Sequence, residues 1–126
     1  MLSLLFSVSL SAKWDRTVFQ DGTCPSTSTF EINDVYFENL DAESQNGGAI
    51  TIRGCTGTLK MNVVTFIHCI SRSTGGAIFI ESNPYNVDAT KVCVSKCSST
   101  QNCQYAQFTS SQGTFTHTYF NIFLFE

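Results

Sequence analysis

The sequence predicts an all-β fold, a single-stranded right-handed parallel β-helix of about four coils, each roughly 28 to 29 residues long, with the last coil incomplete. An apolar pattern, written apolar-x-apolar-x-x-apolar-x-apolar, begins at Phe30 and returns three times at that interval, with His117 as its one polar exception. A Gly-Gly-Ala-Ile motif recurs one coil length apart, at 47–50 and 75–78. Self-similarity at this period is typical of a solenoid, whose repeats bury their apolar faces against one another.

The composition favours strands and limits the chain to one small domain. Its 126 residues include eleven Phe and only two Pro, and 42% of them are apolar. Aromatic and β-branched residues are enriched in strands, and a high apolar content in a regular register argues against disorder. The net charge of −3 provides no basic patch, so we expect no nucleic-acid partner.

Three segments are expected along the chain. Residues 1–11 contain a short apolar run followed by small residues, which predicts a signal peptide. No positive charge precedes this run, so a capping strand of the solenoid is the alternative. Residues 12–29 are expected to form an N-terminal cap or first strand region, in which Trp14 caps the core or, alternatively, stacks on a sugar. Residues 30–126 are expected to form the coils.

Each coil is expected to contain three short strands. The apolar pattern gives two alternating strands separated by a two-residue corner, and a longer turn leads through the Gly pair to a third strand. Glycine suits that turn because the backbone needs a positive φ, or because another backbone comes too close for a Cβ. Successive coils then stack as parallel ladders about 4.8 Å apart. The predicted inward columns are Phe30, Leu59, Val87, Phe115; Val35, Val64, Val92, Phe120; Phe37, Phe66, Val94, Ile122; Leu40, Cys69, Cys97, Phe125; Ile50, Ile78, Ala106; and Ile52, Ile80, Phe108.

The outward positions keep the same register. Glu31, Lys60 and Asp88 form one column of alternating charge. In another column, Arg53 lies one coil from Glu81. Opposite charges on neighbouring strands stabilise a sheet by roughly 0.2 to 1 kcal/mol per pair, so these columns independently support the register.

The six Cys favour an oxidising compartment, since small secreted domains commonly depend on disulfides. Zinc requires close Cys pairs that face other Cys or His pairs, and that spacing is not present. Cys69 and Cys97 stack in one column, where neighbouring strands about 4.8 Å apart suit a disulfide. Two buried free thiols are the alternative there. Proximity suggests two further pairs, Cys24 with Cys55 and Cys93 with Cys103.

The sequence predicts no catalytic, cofactor-binding or metal-binding residues. Glu31 and Asp88 would lie two coils, or about 9.6 Å, apart, at the outer limit for an inverting glycosidase. Lys60 lies between them, which favours a charge ladder. When each acidic residue is aligned with the residue one coil later in the sequence, no acidic cluster results of the kind that a calcium-dependent lyase requires. His68 is expected to face outward and His117 inward, each without a partner at triad spacing.

The Gly-Gly-Ala-Ile motif at 47–50 and 75–78 resembles the repeats of polymorphic outer-membrane-type surface proteins. Similar β-helix repeats occur in surface or secreted families of bacteria and protist parasites. The likeness covers residues 30 to about 108. It implies a surface-exposed or secreted protein that functions in adhesion or antigenic display, with no catalytic residues to carry over.

We therefore expect a non-enzymatic secreted or cell-surface module, with a host or surface ligand such as a glycan as its partner. The alternative is a carbohydrate-active enzyme or polysaccharide-binding protein of the pectate-lyase-like fold, because one fold hosts several functions. No run approaches the ~20 apolar residues of a transmembrane helix. The incomplete fourth coil suggests two further hypotheses, a fragment of a longer solenoid and end-to-end self-association through an uncapped edge.

Overall fold

The computed structural model describes residues 12–20, 22–82, 84–101, 105–110 and 113–123. Within these ranges the chain forms strands and turns and no helix. The strands are β1 (Ala12–Lys13), β2 (Thr17–Phe19), β3 (Thr29–Glu38), β4 (Ile50–Arg53), β5 (Gly57–Ile67), β6 (Ile70–Ser71), β7 (Ile78–Glu81), β8 (Tyr85–Ser95), β9 (Ser98–Ser99), β10 (Ala106–Thr109) and β11 (Phe115–Phe123). The segment predicted as a signal peptide, 1–11, lies outside the described residues.

The strands form three parallel sheets. The first sheet has the order β1-β3-β5-β8-β11, the second has the order β10-β7-β4-β2, and β6 pairs with β9 in a third. Each coil runs from a long strand of the first sheet through a turn to a short strand of the second, and the chain forms a β-solenoid of about three turns. The predicted parallel β-helix is therefore confirmed, and β11 adds a further strand to the first sheet after these turns. Residues 12–29 contribute β1 and β2, which extend both large sheets by one strand.

The pairing register confirms five of the six predicted columns; the sixth, that of Leu40, Cys69 and Cys97, lies outside the ladders, and its last member, Phe125, lies outside the described residues. Phe30 aligns with Leu59, Leu59 with Val87, and Val87 with Phe115. On the second sheet, Ile50 aligns with Ile78 and Ile78 with Ala106. The aligned side chains of the central coils are buried, as a continuous core requires. The most deeply buried large ones include Phe37, Phe66, Ile32, Ile50, Ile52, Leu59, Met61, Ile78, Ile80, Val64, Val87 and Val92.

Aromatic side chains fill the N-terminal half of this core. The rings of Phe37 and Phe66 stack with centroids 5.1 Å apart and planes 6° from parallel. Trp14 lies against β3, 6.2 Å from the ring of Phe30 and 6.2 Å from that of Phe37. Trp14 therefore caps the core, as predicted.

The corner within each long strand is narrower than the two residues that the sequence predicts. Asn33, Asn62 and Thr90 remain paired in the ladder, and the single residue after each of them makes the bend. These bend residues are Asp34, Val63 and Lys91, with φ of 54°, 57° and 56°. A single residue in the left-handed region thus turns the chain, and the ladder resumes directly after it.

The two glycines of the recurring motif have different roles. Gly47 and Gly75 both have φ of 69°, a conformation that glycine adopts without steric cost. A Cβ on Gly48 would overlap the carbonyl oxygen of Gly76 in the next coil. The first glycine therefore makes the turn, and the second allows two backbones to stack.

A disulfide joins Cys24 to Cys55, with Cα atoms 5.7 Å apart. Cys24 follows β2 and Cys55 follows β4, so the bond ties the first, partial coil to the next one. This pairing was predicted from proximity and is confirmed. Cys93 has a free thiol, so its predicted bond to Cys103 is not formed, and Cys103 itself lies outside the described residues.

The predicted disulfide between Cys69 and Cys97 is wrong. Both are buried free thiols, and the backbone N–H of Cys69 donates to the Sγ of Cys97 at 3.4 Å. Equivalent positions of successive coils point their Cα–Cβ bonds in one direction and not toward each other, so closeness of the two backbones does not by itself form a disulfide. Hydrogen bonding to Cys97, and then burial, raises the pKa of the Cys69 thiol, which keeps it protonated and unreactive.

We expect reduction of the Cys24–Cys55 bond to lower the free energy of unfolding by about 3 to 4 kcal/mol, because it removes a constraint on an unfolded loop of 31 residues. Urea unfolding of the double variant Cys24→Ser/Cys55→Ser, with and without reductant, measures this. Cys93→Ser is the matched control and should retain the full sensitivity to reductant. An unchanged midpoint on reduction of the parent chain would contradict the assignment.

Val63→Asn is expected to raise the free energy of unfolding by about 1 kcal/mol. Val63 is 40% exposed and holds a φ of 57°, which a β-branched residue adopts only at a cost, whereas Asn tolerates this region. Val64→Asn is the comparison, and it should destabilise strongly because it places an amide in the core. Denaturant midpoints measure both changes, and a loss of stability in Val63→Asn would refute the argument from strain.

Candidate functional site

The predicted carboxylate pair stands in a charge ladder on the first sheet. Lys60 aligns with Glu31 on one side and with Asp88 on the other. A lysine between two carboxylates gives a column of alternating charge, in which each acidic residue has an opposite charge on the neighbouring strand. The arrangement therefore matches the charge ladder that the sequence predicts.

The two histidines lie apart from this ladder. His68 is exposed at a corner with φ of 50°, and its Nδ1 lies 3.0 Å from the Oδ1 of Asn39 one coil below. The outward orientation predicted for His68 is confirmed. His117 aligns with the buried Ala89 but is exposed in the last coil, where its ring lies 5.8 Å from that of Phe115. The two histidines thus stand in different columns and form no common site.

A polar groove lies on the outer side of the second sheet and was not predicted from the sequence. It consists of two adjoining depressions of about 450 and 420 Å³, which share Gln20 and Arg53. Strands β2, β4 and β7 form its floor, so it crosses three coils, or roughly 10 Å. The residues of this groove are Arg16, Val18, Gln20, Ser44, Gln45, Asn46, Thr51, Arg53, Gly54, Ser73 and Glu81.

The guanidinium group of Arg16 is fixed at one end of the groove. Its Nε donates to the carbonyl oxygen of Gly47 at 3.0 Å, and its Nη2 donates to the carbonyl oxygen of Asn46 at 2.8 Å. Nη2 also donates to the Oγ1 of Thr51 at 3.2 Å. Partial burial lowers the pKa of Arg16 from its ordinary value. Among the described residues no group accepts from Nη1, so this nitrogen remains available to a ligand.

These contacts show why an arginine stands at position 16. In the next coil, the carbonyl oxygens of Thr74 and Gly75 accept hydrogen bonds from the backbone N–H groups of Gly47 and Gly48. The coil beneath the turn at Gly47 and Gly48 has no Gly-Gly turn of its own, and Arg16 of that coil supplies the donors to the equivalent carbonyl oxygens, those of Asn46 and Gly47. A planar guanidinium presents several N–H groups in one fork and can replace two backbone donors at once.

A second guanidinium lies on the same face. Arg53 Nη2 contacts Glu81 Oε1 at 3.3 Å, which confirms the predicted pairing of these residues across one coil. Both side chains are about half exposed, at 51% and 52%. Thr51, which binds the guanidinium of Arg16, is two residues from Arg53 on β4, and both side chains point to the same face. The Cα atoms of Thr51 and Arg53 are therefore roughly 7 Å apart.

Sequence reasoning missed the groove because Arg16 belongs to the segment treated as a cap or first strand region. Thr17 aligns with Ile50, and these two positions are farther apart along the chain than Ile50 and Ile78, which align in the next coil. The apolar pattern is also weak in β2, where Phe19 alone continues a buried column, the one with Ile52. A search that tolerated a longer first coil would have aligned β2 with β4.

Comparisons with protein-family models, with curated proteins and with solved structures return no match to this chain. In the part of the chain that the structure describes, no helix is long and apolar enough to cross a membrane. Within the same residues, no three His, Cys, Asp or Glu side chains form a group that could hold a metal ion.

We expect Arg16→Ala to lower the free energy of unfolding by about 1 to 2 kcal/mol, because it removes the hydrogen bonds to the carbonyl oxygens of Gly47 and Asn46 and to the buried Thr51 hydroxyl. The Thr51 hydroxyl still donates to the carbonyl oxygen of Asn46 at 2.7 Å, which limits the loss. Arg16→Lys should restore only part of this, since an ammonium group cannot span the same acceptors. Arg72→Ala is the control: Arg72 makes an exposed 3.8 Å contact with Asp41, and its loss should cost less than about 0.5 kcal/mol. Equal losses in Arg16→Ala and Arg72→Ala would contradict the proposed capping role.

Proposed function

We propose that the chain is a non-enzymatic β-solenoid module, secreted or displayed at a cell surface, that binds a partner through the groove of its second sheet. The groove is the observation that carries this proposal. It joins a fixed guanidinium, Arg16, to an exposed one, Arg53, among uncharged polar side chains. A small number of placed polar groups in a concave surface is typical of a binding site.

The Cys24–Cys55 disulfide supports a location outside the reducing cytosol. Disulfides form and persist in secretory and extracellular compartments, and they are rare where glutathione and thioredoxin keep thiols reduced. The expected signal peptide at 1–11 agrees with this location. The likeness of the Gly-Gly-Ala-Ile repeats to surface proteins favours adhesion or antigenic display as the role of the module.

The charged side chains of the outer faces favour binding over catalysis. Glu81 pairs with Arg53, and Asp41 lies 3.8 Å from Arg72. Each of these carboxylates therefore stands beside an arginine as one half of an exposed ion pair. The polar groove also suits the second candidate function, a carbohydrate-active enzyme of the pectate-lyase-like fold.

Turnover distinguishes these two functions. The purified chain is incubated with acidic and neutral polysaccharides, with and without calcium, and new reducing ends and unsaturated products are measured. Retention on the same immobilised polymers is measured in parallel. We expect retention on at least one polymer and product release from none of them. Calcium-dependent product release that is lost in Glu31→Ala or Asp88→Ala would overturn the proposal in favour of an enzyme.

A further inference from the structure

We infer that the groove of the second sheet binds an anionic polysaccharide, a hydroxylated polymer that carries carboxylate or sulfate groups, with Arg16 and Arg53 as its anion contacts. This inference rests on the proposed function and adds the chemical class of the partner. The groove runs across three coils, because its residues stand on β2, β4 and β7, and this length suits a segment of an extended polymer.

The two guanidinium groups of the groove are suited to bind anions. Guanidinium groups bind carboxylate and sulfate through parallel N–H donors, and such charge-assisted hydrogen bonds are stronger than neutral ones. The contacts of Arg16 with Gly47, Asn46 and Thr51 fix its guanidinium before a ligand arrives, and within the described residues Nη1 remains free. A pre-ordered donor binds more tightly because less side-chain entropy is lost on binding.

The guanidinium of Arg53 can exchange its partner, the Glu81 carboxylate, for a ligand anion. Its contact with Glu81 is exposed on both sides, at 51% and 52%, and an ion pair of this kind contributes little net stability. A ligand anion can therefore replace the Glu81 carboxylate at small cost. Glu81 then acts as an internal competitor, and its removal should strengthen binding.

The uncharged side chains of the groove favour a polysaccharide over an acidic peptide as the ligand. The remaining groove side chains are mostly amides and hydroxyls, and the one aliphatic side chain among them is Val18, 37% exposed. Peptide interfaces depend on apolar or aromatic anchors seated in pockets, which this groove lacks. A sugar chain instead presents hydroxyl groups at every unit, and amides such as Gln20 and Gln45 can donate to them and accept from them.

The experiment uses the full chain and two matched pairs of polymers. Dextran sulfate is compared with dextran, and polygalacturonate is compared with its methyl ester, by isothermal titration calorimetry at fixed ionic strength. We expect binding to one or both anionic polymers and at least about tenfold weaker binding to the neutral member of the same pair. The two pairs distinguish sulfate from carboxylate as the anion. Equal binding within each pair, or no binding to any of the four polymers, would overturn the inference.

Variants locate the binding to the groove. Arg53→Gln should weaken binding of the anionic polymer about tenfold, and Glu81→Gln should strengthen it several-fold. Arg72→Gln is the matched control, because Arg72 is also an exposed arginine beside a carboxylate but lies outside the groove, and it should change affinity less than twofold. Thermal melts check that each variant is folded.

Two outcomes of the variant series count against the inference and leave the proposed function standing. Equal losses in Arg53→Gln and Arg72→Gln would show that the polymer binds by diffuse charge and not in the groove. Poly-glutamate binding as tight as that of the polysaccharide, with the same dependence on Arg53, would identify an acidic polypeptide as the ligand instead.

Discussion

The in-register parallel ladder is the constraint on which the other features of this protein depend. Each strand of the central coils must place a residue of the same kind about 4.8 Å above the one before it. A slip of one residue would turn every inward side chain outward. The alignment of Phe37 with Phe66, and of Phe66 with Val94, shows how strictly the register is kept. Coil length, core packing and outer charge therefore follow from one condition.

The corners and turns keep this register by changing direction within very few residues. One left-handed residue bends each long strand, so the ladder continues on both sides of Val63 without loss of pairing. The Gly-Gly turns divide two tasks between neighbouring positions, since Gly47 makes the turn and Gly48 leaves room for the coil above. A Cβ at Gly47 would overlap the carbonyl oxygen of Ile50 in the same turn, and a Cβ at Gly48 would separate this coil from the next one.

The first coil departs from this regular plan, and the candidate site arises there. Its aligned positions in β2 and β4, such as Thr17 and Ile50, are farther apart along the chain than those of the later coils, and it lacks their Gly-Gly turn. The guanidinium of Arg16 replaces the missing backbone donors, and the Cys24–Cys55 bond holds the same region to the coil above. The groove beside Arg16 is thus a consequence of where regular stacking begins.

The sequence by itself determined the coil length, the inward columns and the outward charge order. Each of these repeats at a fixed interval, so the alignment of Glu31 with Lys60, or of Arg53 with Glu81, can be counted along the chain. Only the tertiary structure decided which cysteines bond, because a disulfide depends on the direction of the Cα–Cβ bonds and not on strand spacing alone. The groove was decided in the same way. Its residues come from three coils of unequal length, and the function of Arg16 depends on a turn that its own coil does not contain.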